Sequence, residues 1–388
     1  MSKVFVIAQG GGPTAVINQT VAGAALAARE RYPGSRILGA RHGVRGIDRD
    51  DYVDLSAISE TELMRFANTP NSGLGSTRDK PDSAYCQRVL AGLDKVGASA
   101  FIYIGGNDTS GTLDLLDKSA GGHIHFIHAP KTIDNDLVEN DHTPGFMSAA
   151  LFVANAFLSV DLDFRAMRGI YVGIVMGRHA GFLTASAAAW RRDETDGPHL
   201  VYVPEVPFTE GRLITDIRAT LDRYGRCVIA MSEGVQTADH KPLAESLIPA
   251  HLHERDAHGN LQLSGGDLGL ALQEAIKDDL PGVRARVDTF GYLPRGFIGT
   301  VSAIDQAEAF AIGRFAVEEH EAGSGSVAQK YEDGRTVLKM VPLDAVANRT
   351  KTMPADFLTA EGNHLTETGL AYFRRLLPPR PDAWTPFV

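Results

Sequence analysis

The sequence predicts an α/β fold built on parallel sheets. Short, continuously apolar, β-prone runs alternate with longer helical patterns along the chain. Such alternation implies parallel strands covered on both faces by helices. In addition, glycine-rich or acidic loops follow three of the apolar runs, where open α/β sheets bind ligands.

Taken in order, residues 3–8 (KVFVIA) read as a buried strand, and 14–31, rich in Ala and Val, as a helix. Strands are expected at 98–104 (ASAFIYI), 123–128, 169–175, 201–204 and 226–231 (RCVIAM). Helices are expected at 148–159, 183–191 and 303–319. The polar, turn-rich stretch 244–266 reads as a surface excursion, 321–334 as a loop with a short strand, and the proline-rich 378–386 as surface. No repeat of about 20–50 residues is visible.

The chain has 388 residues, enough for about two or three domains. Hydrophobic residues make up 44% and charged residues 22%, a globular balance. No run of about 18 apolar residues stands out, which argues against a membrane span. The N-terminus lacks the basic flank, apolar core and cleavage site of a secretory signal. Two cysteines, Cys86 and Cys227, suggest neither a disulfide scaffold nor a structural zinc site and suit a reducing cytoplasm. The net charge of −10 argues against a nucleic-acid binder. It does not exclude phosphate substrates, because a few cations in one cleft reverse the local field.

The first loop, GGGPT at 10–14, lets the backbone approach an anion and points the N–H groups of a helix start toward it. A tight strand-to-helix turn explains it equally well. The second, GGNDT at 105–109, adds the oxygen ligands of Asn107 and Asp108 to Gly106. A helix cap accounts for one of these polar residues but not for the whole set. The third, PKTIDND at 130–136, packs a cation, a hydroxyl and two carboxylates into one turn. A solvated turn is the plain alternative. Together with the second loop it favours a Mg²⁺-phosphate site, since Mg²⁺ takes one or two carboxylates plus phosphate oxygens.

At these loops the sequence resembles the phosphofructokinase family, through nearly the whole chain and in order. The markers are GGGPTAVIN at 10–18, GSTR at 75–78, GGNDT at 105–109, PKTIDND at 130–136, MGRHAG at 176–181, SEG at 232–234 and GYLPRG at 291–296. The resemblance implies Asp134 as the general base on the sugar 1-hydroxyl, with Thr132 hydrogen-bonding nearby. It implies Mg²⁺ at Asn107 and Asp136, and donor phosphates at Gly11, Gly106, Asp108 and Lys131. Fructose 6-phosphate would be held by Thr132, Ile133, Asp134, Met176, Gly177, Arg178, Glu233, Tyr292, Leu293, Pro294 and Arg295. Arg286 resembles an arginine that the family reaches across a subunit interface, and Arg168 is a candidate for a second. Taken singly, Met176 suits a core, Arg178 an ion pair, Glu233 a cap and Tyr292 an aromatic contact.

The family also implies the architecture: two parallel-sheet, Rossmann-like domains with the active site in the cleft between them. A phosphoryl-donor domain would comprise 1–145 plus about 294–345, and a sugar-phosphate domain 146–293 plus about 346–388. A homodimer or homotetramer sharing the sugar site between subunits would follow.

Two positions address the donor. ATP-using members resemble GGDGS and PGTIDND in the second and third loops, whereas this chain has Asp108 and Lys131. A carboxylate at 108 would repel a nucleotide α-phosphate. Two like charges about 4 Å apart cost roughly 4 kcal/mol at an effective dielectric of about 20. That is roughly a thousandfold in binding. Both residues resemble the pyrophosphate-dependent branch, whose reaction is reversible and serves glycolysis and gluconeogenesis. That branch often carries an acid where Asn107 stands. The competing readings are an ATP-dependent phosphofructokinase, an NAD or lipid kinase sharing only the short glycine motif, and a catalytically silent regulatory homologue. Sedoheptulose 7-phosphate is the alternative to fructose 6-phosphate as the sugar.

Overall fold

The computed structural model describes residues 3–247 and 267–381. By its internal contacts the chain divides into two compact units, Met1–Ala149 with Arg295–Lys351 and Ala150–Pro294 with Thr352–Val388. The described strands are β1 (Val4–Gln9), β2 (Arg36–Ala40), β3 (Tyr52–Asp54), β4 (Ala100–Gly105), β5 (His125–Pro130), β6 (Gly169–Val175), β7 (Leu200–Tyr202), β8 (Arg226–Ser232), β9 (Ala285–Thr289), β10 (Gly325–Glu332) and β11 (Arg335–Val341).

The first unit holds a seven-stranded sheet in the order β11-β10-β5-β4-β1-β2-β3. Its interior is parallel, and β3 and β11 close the two edges antiparallel. The α/β expectation holds, with a mixed rather than wholly parallel sheet. Side-chain alternation, two residues per repeat, sends Phe5, Ile7, Ile102 and Ile104 to one face. There they meet Ile17 and Val21 of helix Ile17–Arg31 and Ile312 and Ala316 of helix Ala303–Glu318. Val6, Ala8, Phe101 and Tyr103 point to the other face, against Val89, Leu93, Leu113 and Leu116. The two helices on the first face cross closely: a Cβ on Gly313 would lie 2.0 Å from the Thr20 carbonyl oxygen.

The chain runs outward from β1 through β2 to β3, then returns to place β4 on the other side of β1. The switch point therefore lies between β1 and β4, and a crevice opens beyond their carboxyl ends. Gly10 N donates to Ile104 O at 2.8 Å there, which joins the first two loops.

Residues 321–334, expected as a loop with a short strand, instead supply the eight residues of β10 and the turn into β11. β11 is an edge strand and mostly half-exposed, so it lacks the apolar run that marks a buried strand.

The second unit holds a parallel four-stranded sheet, β7-β8-β6-β9. Ile170, Val172, Cys227, Ile229 and Met231 fill its core. The stretch 183–191 is not one helix but a short helix, Phe182–Ala185, continued as a 3-10 turn over Ser186–Ala188. Most of the expected excursion at 244–266 lies outside the described residues, as does most of 378–386. Helix Phe146–Met167 is, contrary to the expectation of no such run, long and apolar enough to cross a membrane. Val153 and Phe157 are fully buried, and Asp161 sits in an ion network with Arg165 at 2.9 Å and Arg226 at 3.3 Å. Those contacts mark a core helix. Cys86 and Cys227 are free thiols, both buried.

Candidate active site

The GGGPT, GGNDT and PKTIDND loops leave the carboxyl ends of the neighbouring strands β1, β4 and β5, all in the first unit. Gly11 has φ +73°, the left-handed region that glycine enters freely. Its missing side chain leaves room for Lys131: a Cβ there would lie 3.3 Å from Lys131 Nζ. Gly106 precedes helix Asn107–Ala120 and has no side-chain cap, so the helix start presents backbone N–H groups.

Lys131 is buried, and its Nζ donates to Gly12 O at 2.7 Å. Burial pushes its pKa down to about 7, helped by the Arg295 and Arg78 guanidinium groups and opposed by Asp134 and Asp136. A buried cation of this kind is costly without an anion to meet it. Arg295 also approaches the first loop, with its Cζ 3.2 Å from where a Gly12 Cβ would stand. The geometry thus gathers Lys131, Arg295 and Arg78 around one glycine loop.

Beyond β5 the loop turns sharply at Asn135, which is buried with φ +57°. Thr132 Oγ1 accepts from Asp134 N at 3.1 Å, and Thr143 Oγ1 donates to Thr132 O at 2.9 Å. Asp134 and Asp136 are partly exposed on either side of the turn, and Ile133 is buried. Asn107 Nδ2 donates to Asp136 Oδ2 at 3.1 Å, joining the second and third loops. Asn107 Oδ1 is shielded from solvent and takes no hydrogen bond from any described residue. An orphaned carbonyl oxygen beside a carboxylate is a donor set that fits a hard divalent cation. Among the described residues no group of three His, Cys, Asp or Glu side chains is placed to hold a metal alone.

Asp108 has a cationic partner outside its own loop. Its side chain is 67% exposed and pairs with Lys80 Nζ at 2.9 Å. The repulsion reckoned for a bare carboxylate is reduced by that cation and by solvent screening. More of any donor discrimination then falls to Lys131.

In the second unit, MGRHAG follows β6 and SEG follows β8, and the two loops interlock. Ser232 Oγ donates to Gly177 O at 2.6 Å, and a Cβ on Gly234 would lie 2.2 Å from Arg178 O. Gly177 has φ +141°. Met176 and Glu233 are buried, and Arg178 is half-buried. Glu233 N donates to Val175 O at 2.9 Å. Beyond β9, Pro294 is buried whereas Tyr292 and Leu293 are each 60% exposed.

Arg168 and Arg286 are not brought to these loops within the unit. Arg168 precedes β6, whose seven residues span about 23 Å before Met176. Arg286 lies two residues into β9, opposite Tyr171, and is exposed.

Three supporting residues were not singled out from the sequence. His128 Nε2 donates to Gly105 O at 2.9 Å, and its Nδ1 lies 2.8 Å from Ser326 Oγ. Burial pushes its pKa down to about 4, so the ring is a neutral strut beneath the second loop. Glu205 accepts from Gly181 N at 2.9 Å and Met353 N at 2.8 Å, which anchors the MGRHAG loop. Lys351 donates to Asn135 Oδ1 at 3.2 Å. No local motif marks these residues, because their partners lie far away in sequence. Alternation within the β5 run HFIHAP does place His128 on a defined face of the sheet.

The phosphofructokinase family model matches residues 4–319. A pyrophosphate--fructose 6-phosphate 1-phosphotransferase of Rhodospirillum rubrum is 47% identical over 387 residues, spanning 98% of this chain and 95% of that protein. A second enzyme of that description, from Xanthomonas campestris, is 35% identical over 387 residues, spanning 95% and 90%. The crystal structure of a pyrophosphate-dependent phosphofructokinase from Nitrosospira multiformis matches with a TM-score of 0.85 at 28% identity, covering 100% of this chain and 96% of that one.

Proposed function

The chain belongs to the phosphofructokinase family, and from that premise we propose that it moves a phosphoryl group reversibly between diphosphate and the 1-hydroxyl of fructose 6-phosphate. The observation that carries the donor is Lys131, a buried cation under the Gly10–Thr14 turn, at the position where ATP-using members resemble a glycine.

On this reading the first unit binds diphosphate through Gly11, Gly106 and Lys131, with Asp108 and Lys80 at the rim. Asn107 and Asp136 would hold Mg²⁺, which when bound neutralises charge on the diphosphate oxygens. Phosphoryl transfer has a loose transition state, so positioning and charge neutralisation supply most of the rate. The 1-hydroxyl oxygen forms a bond to the terminal phosphorus while the bond from that phosphorus to the bridging oxygen breaks. Asp134 accepts the hydroxyl proton, and phosphate leaves with the bridging oxygen. In reverse, Asp134 returns that proton to the sugar oxygen. Thr132 orients Asp134 through its backbone N–H.

The sugar phosphate would be held by Met176, Gly177, Arg178, Glu233, Tyr292, Leu293, Pro294 and Arg295, together with Ile133. Arg168 and Arg286 stand at the opposite end of β6 and β9 from the MGRHAG loop. They therefore suit a sugar bound by a second copy, in a homodimer or homotetramer. Sedoheptulose 7-phosphate is the competing sugar. The buried free thiols suit a reducing cytoplasm.

The test is a donor assay with purified protein, Mg²⁺, fructose 6-phosphate and either diphosphate or ATP, followed as fructose 1,6-bisphosphate. Turnover with diphosphate alone is expected, and omission of Mg²⁺ should abolish it. Turnover with ATP alone would overturn the account of Lys131 and Asp108.

A further inference from the structure

We propose that Lys351, at the end of the first unit, is a positioning residue: it holds the buried Asn135 turn so that Asp134 and Asp136 are presented together beyond β5. The proposal rests on the reaction proposed above and assigns that reaction a residue outside every motif of the sequence.

The contacts converge on one turn. Lys351 Nζ donates to Asn140 O at 2.8 Å, Asp141 O at 2.9 Å and Asn135 Oδ1 at 3.2 Å. Its backbone N–H donates to Asp136 O at 2.7 Å. One residue therefore grips the residue between the two carboxylates, the backbone of the second carboxylate, and the strand of chain that leaves the turn. A bridge between Leu137 and Thr350 extends the same contact. The far side of the loop is fixed to β10: Gln329 N donates to Asn140 Oδ1 at 2.8 Å, and Asp141 N donates to Gln329 O at 2.7 Å. The ammonium thus ties Asn135 to a segment that is itself tied to the sheet.

Asn135 explains why such a tie is useful. At φ +57° it occupies the left-handed region, which costs a non-glycine residue energy unless its surroundings hold it there. While Lys351 is protonated, its three N–H groups match its three acceptors, and each charge-assisted hydrogen bond is roughly twice as strong as a neutral one. If the turn relaxes, Asp134 and Asp136 move relative to one another, and with them the proton acceptor relative to the diphosphate. Displacements of about 1 Å far from the chemistry can cost about a hundredfold in rate.

The experiment is steady-state kinetics of full-length Lys351→Met, with thermal melting as a check on folding. The wild-type chain is assayed first with diphosphate and with ATP. Absence of diphosphate turnover sinks the proposed reaction, and the Lys351 comparison is then made with the donor the wild type uses. For Lys351→Met, kcat should fall about a hundredfold while the KM values for donor and sugar stay within about threefold. Asn135→Gly keeps the turn, because glycine adopts that φ without strain. It should lose only a few-fold, and the double variant should be no slower than Lys351→Met alone. A kcat within about threefold of wild type, or a loss confined to KM, overturns the proposal. If Lys351→Met does not fold, Asn135→Ala decides. It removes the acceptor and strains the turn, so an unchanged kcat in that variant also overturns the proposal.

Discussion

The loop of the first unit around Lys131 to Asp136 and the loops of the second unit around Met176, Glu233 and Tyr292 are built differently. In the first, the functional side chains are themselves part of the packing. Lys131 and Asn135 are buried, Asn107 bridges to Asp136, and Lys351 reaches in from behind. In the second, the backbone is locked while part of the side-chain set is exposed. Ser232 grips Gly177 and Gly234 fits against Arg178, yet Tyr292 and Leu293 stand in solvent. The difference suits the two tasks proposed for these loops. Charge neutralisation needs groups preorganised before the reaction. Recognition of a sugar tolerates side chains that settle on binding.

The largest effect is expected at Asp134. Asp134→Asn keeps the shape but cannot take the proton, so kcat should fall about a thousandfold with little change in the sugar KM. A loss in KM instead would mean that Asp134 only binds. Lys131→Met should lower kcat/KM for diphosphate by about a hundredfold. Stability should move the other way, because a buried charge is replaced by an apolar chain.

Lys131 also gives a pH signature without substrate. Its folded pKa is about 7, below the ordinary 10.5. Between those values the unfolded chain holds a proton that the native chain lacks, so stability rises with pH across that window. Lys351 is moved the same way, to about 7, mainly by burial. Lys131→Met should therefore flatten the rise in melting temperature from pH 7 to about 10 without abolishing it. A slope equal to wild type would mean that Lys131 is not held in the environment described.

Donor preference should separate two residues within the first unit. Asp108 is exposed and paired with Lys80, whereas Lys131 is buried, so the two should not contribute equally. Asp108→Gly alone should leave diphosphate turnover within about tenfold of wild type, since a screened, paired charge is worth little. Asp108→Gly with Lys131→Gly should lose diphosphate turnover and begin to accept ATP. Competition between the two donors in one assay measures this. A full switch by Asp108→Gly alone would restore the larger electrostatic role reckoned from sequence.

Legibility in the sequence follows burial and local backbone demands and cuts across the two units. β1, β4, β5, β6 and β8 were readable because strands buried on both faces are continuous apolar runs. β9 and β11, at sheet edges, alternate or stay half-exposed, and they were not read. The loops were legible because glycine, asparagine and aspartate report local backbone demands. Lys351 was not, because its partners Asn135 and Asn140 are more than 200 residues away in sequence. The Lys80 pair with Asp108 spans only 28 residues but joins two separate loops, so no motif shows it, and it weakens the repulsion expected of a bare carboxylate.

The smallest effect belongs to the exposed side of the comparison. Tyr292 is 60% exposed, so Tyr292→Ala removes little packing and should leave the melting temperature within about 1–2 °C of wild type. If the ring closes over the sugar only on binding, the KM for fructose 6-phosphate should rise about tenfold while kcat with saturating sugar changes little. A change in kcat of the same size would place the ring in the transition state. A large fall in melting temperature would place it in the packing of the free protein, and the contrast between a preorganised donor loop and an adaptable sugar loop would then fail at this residue.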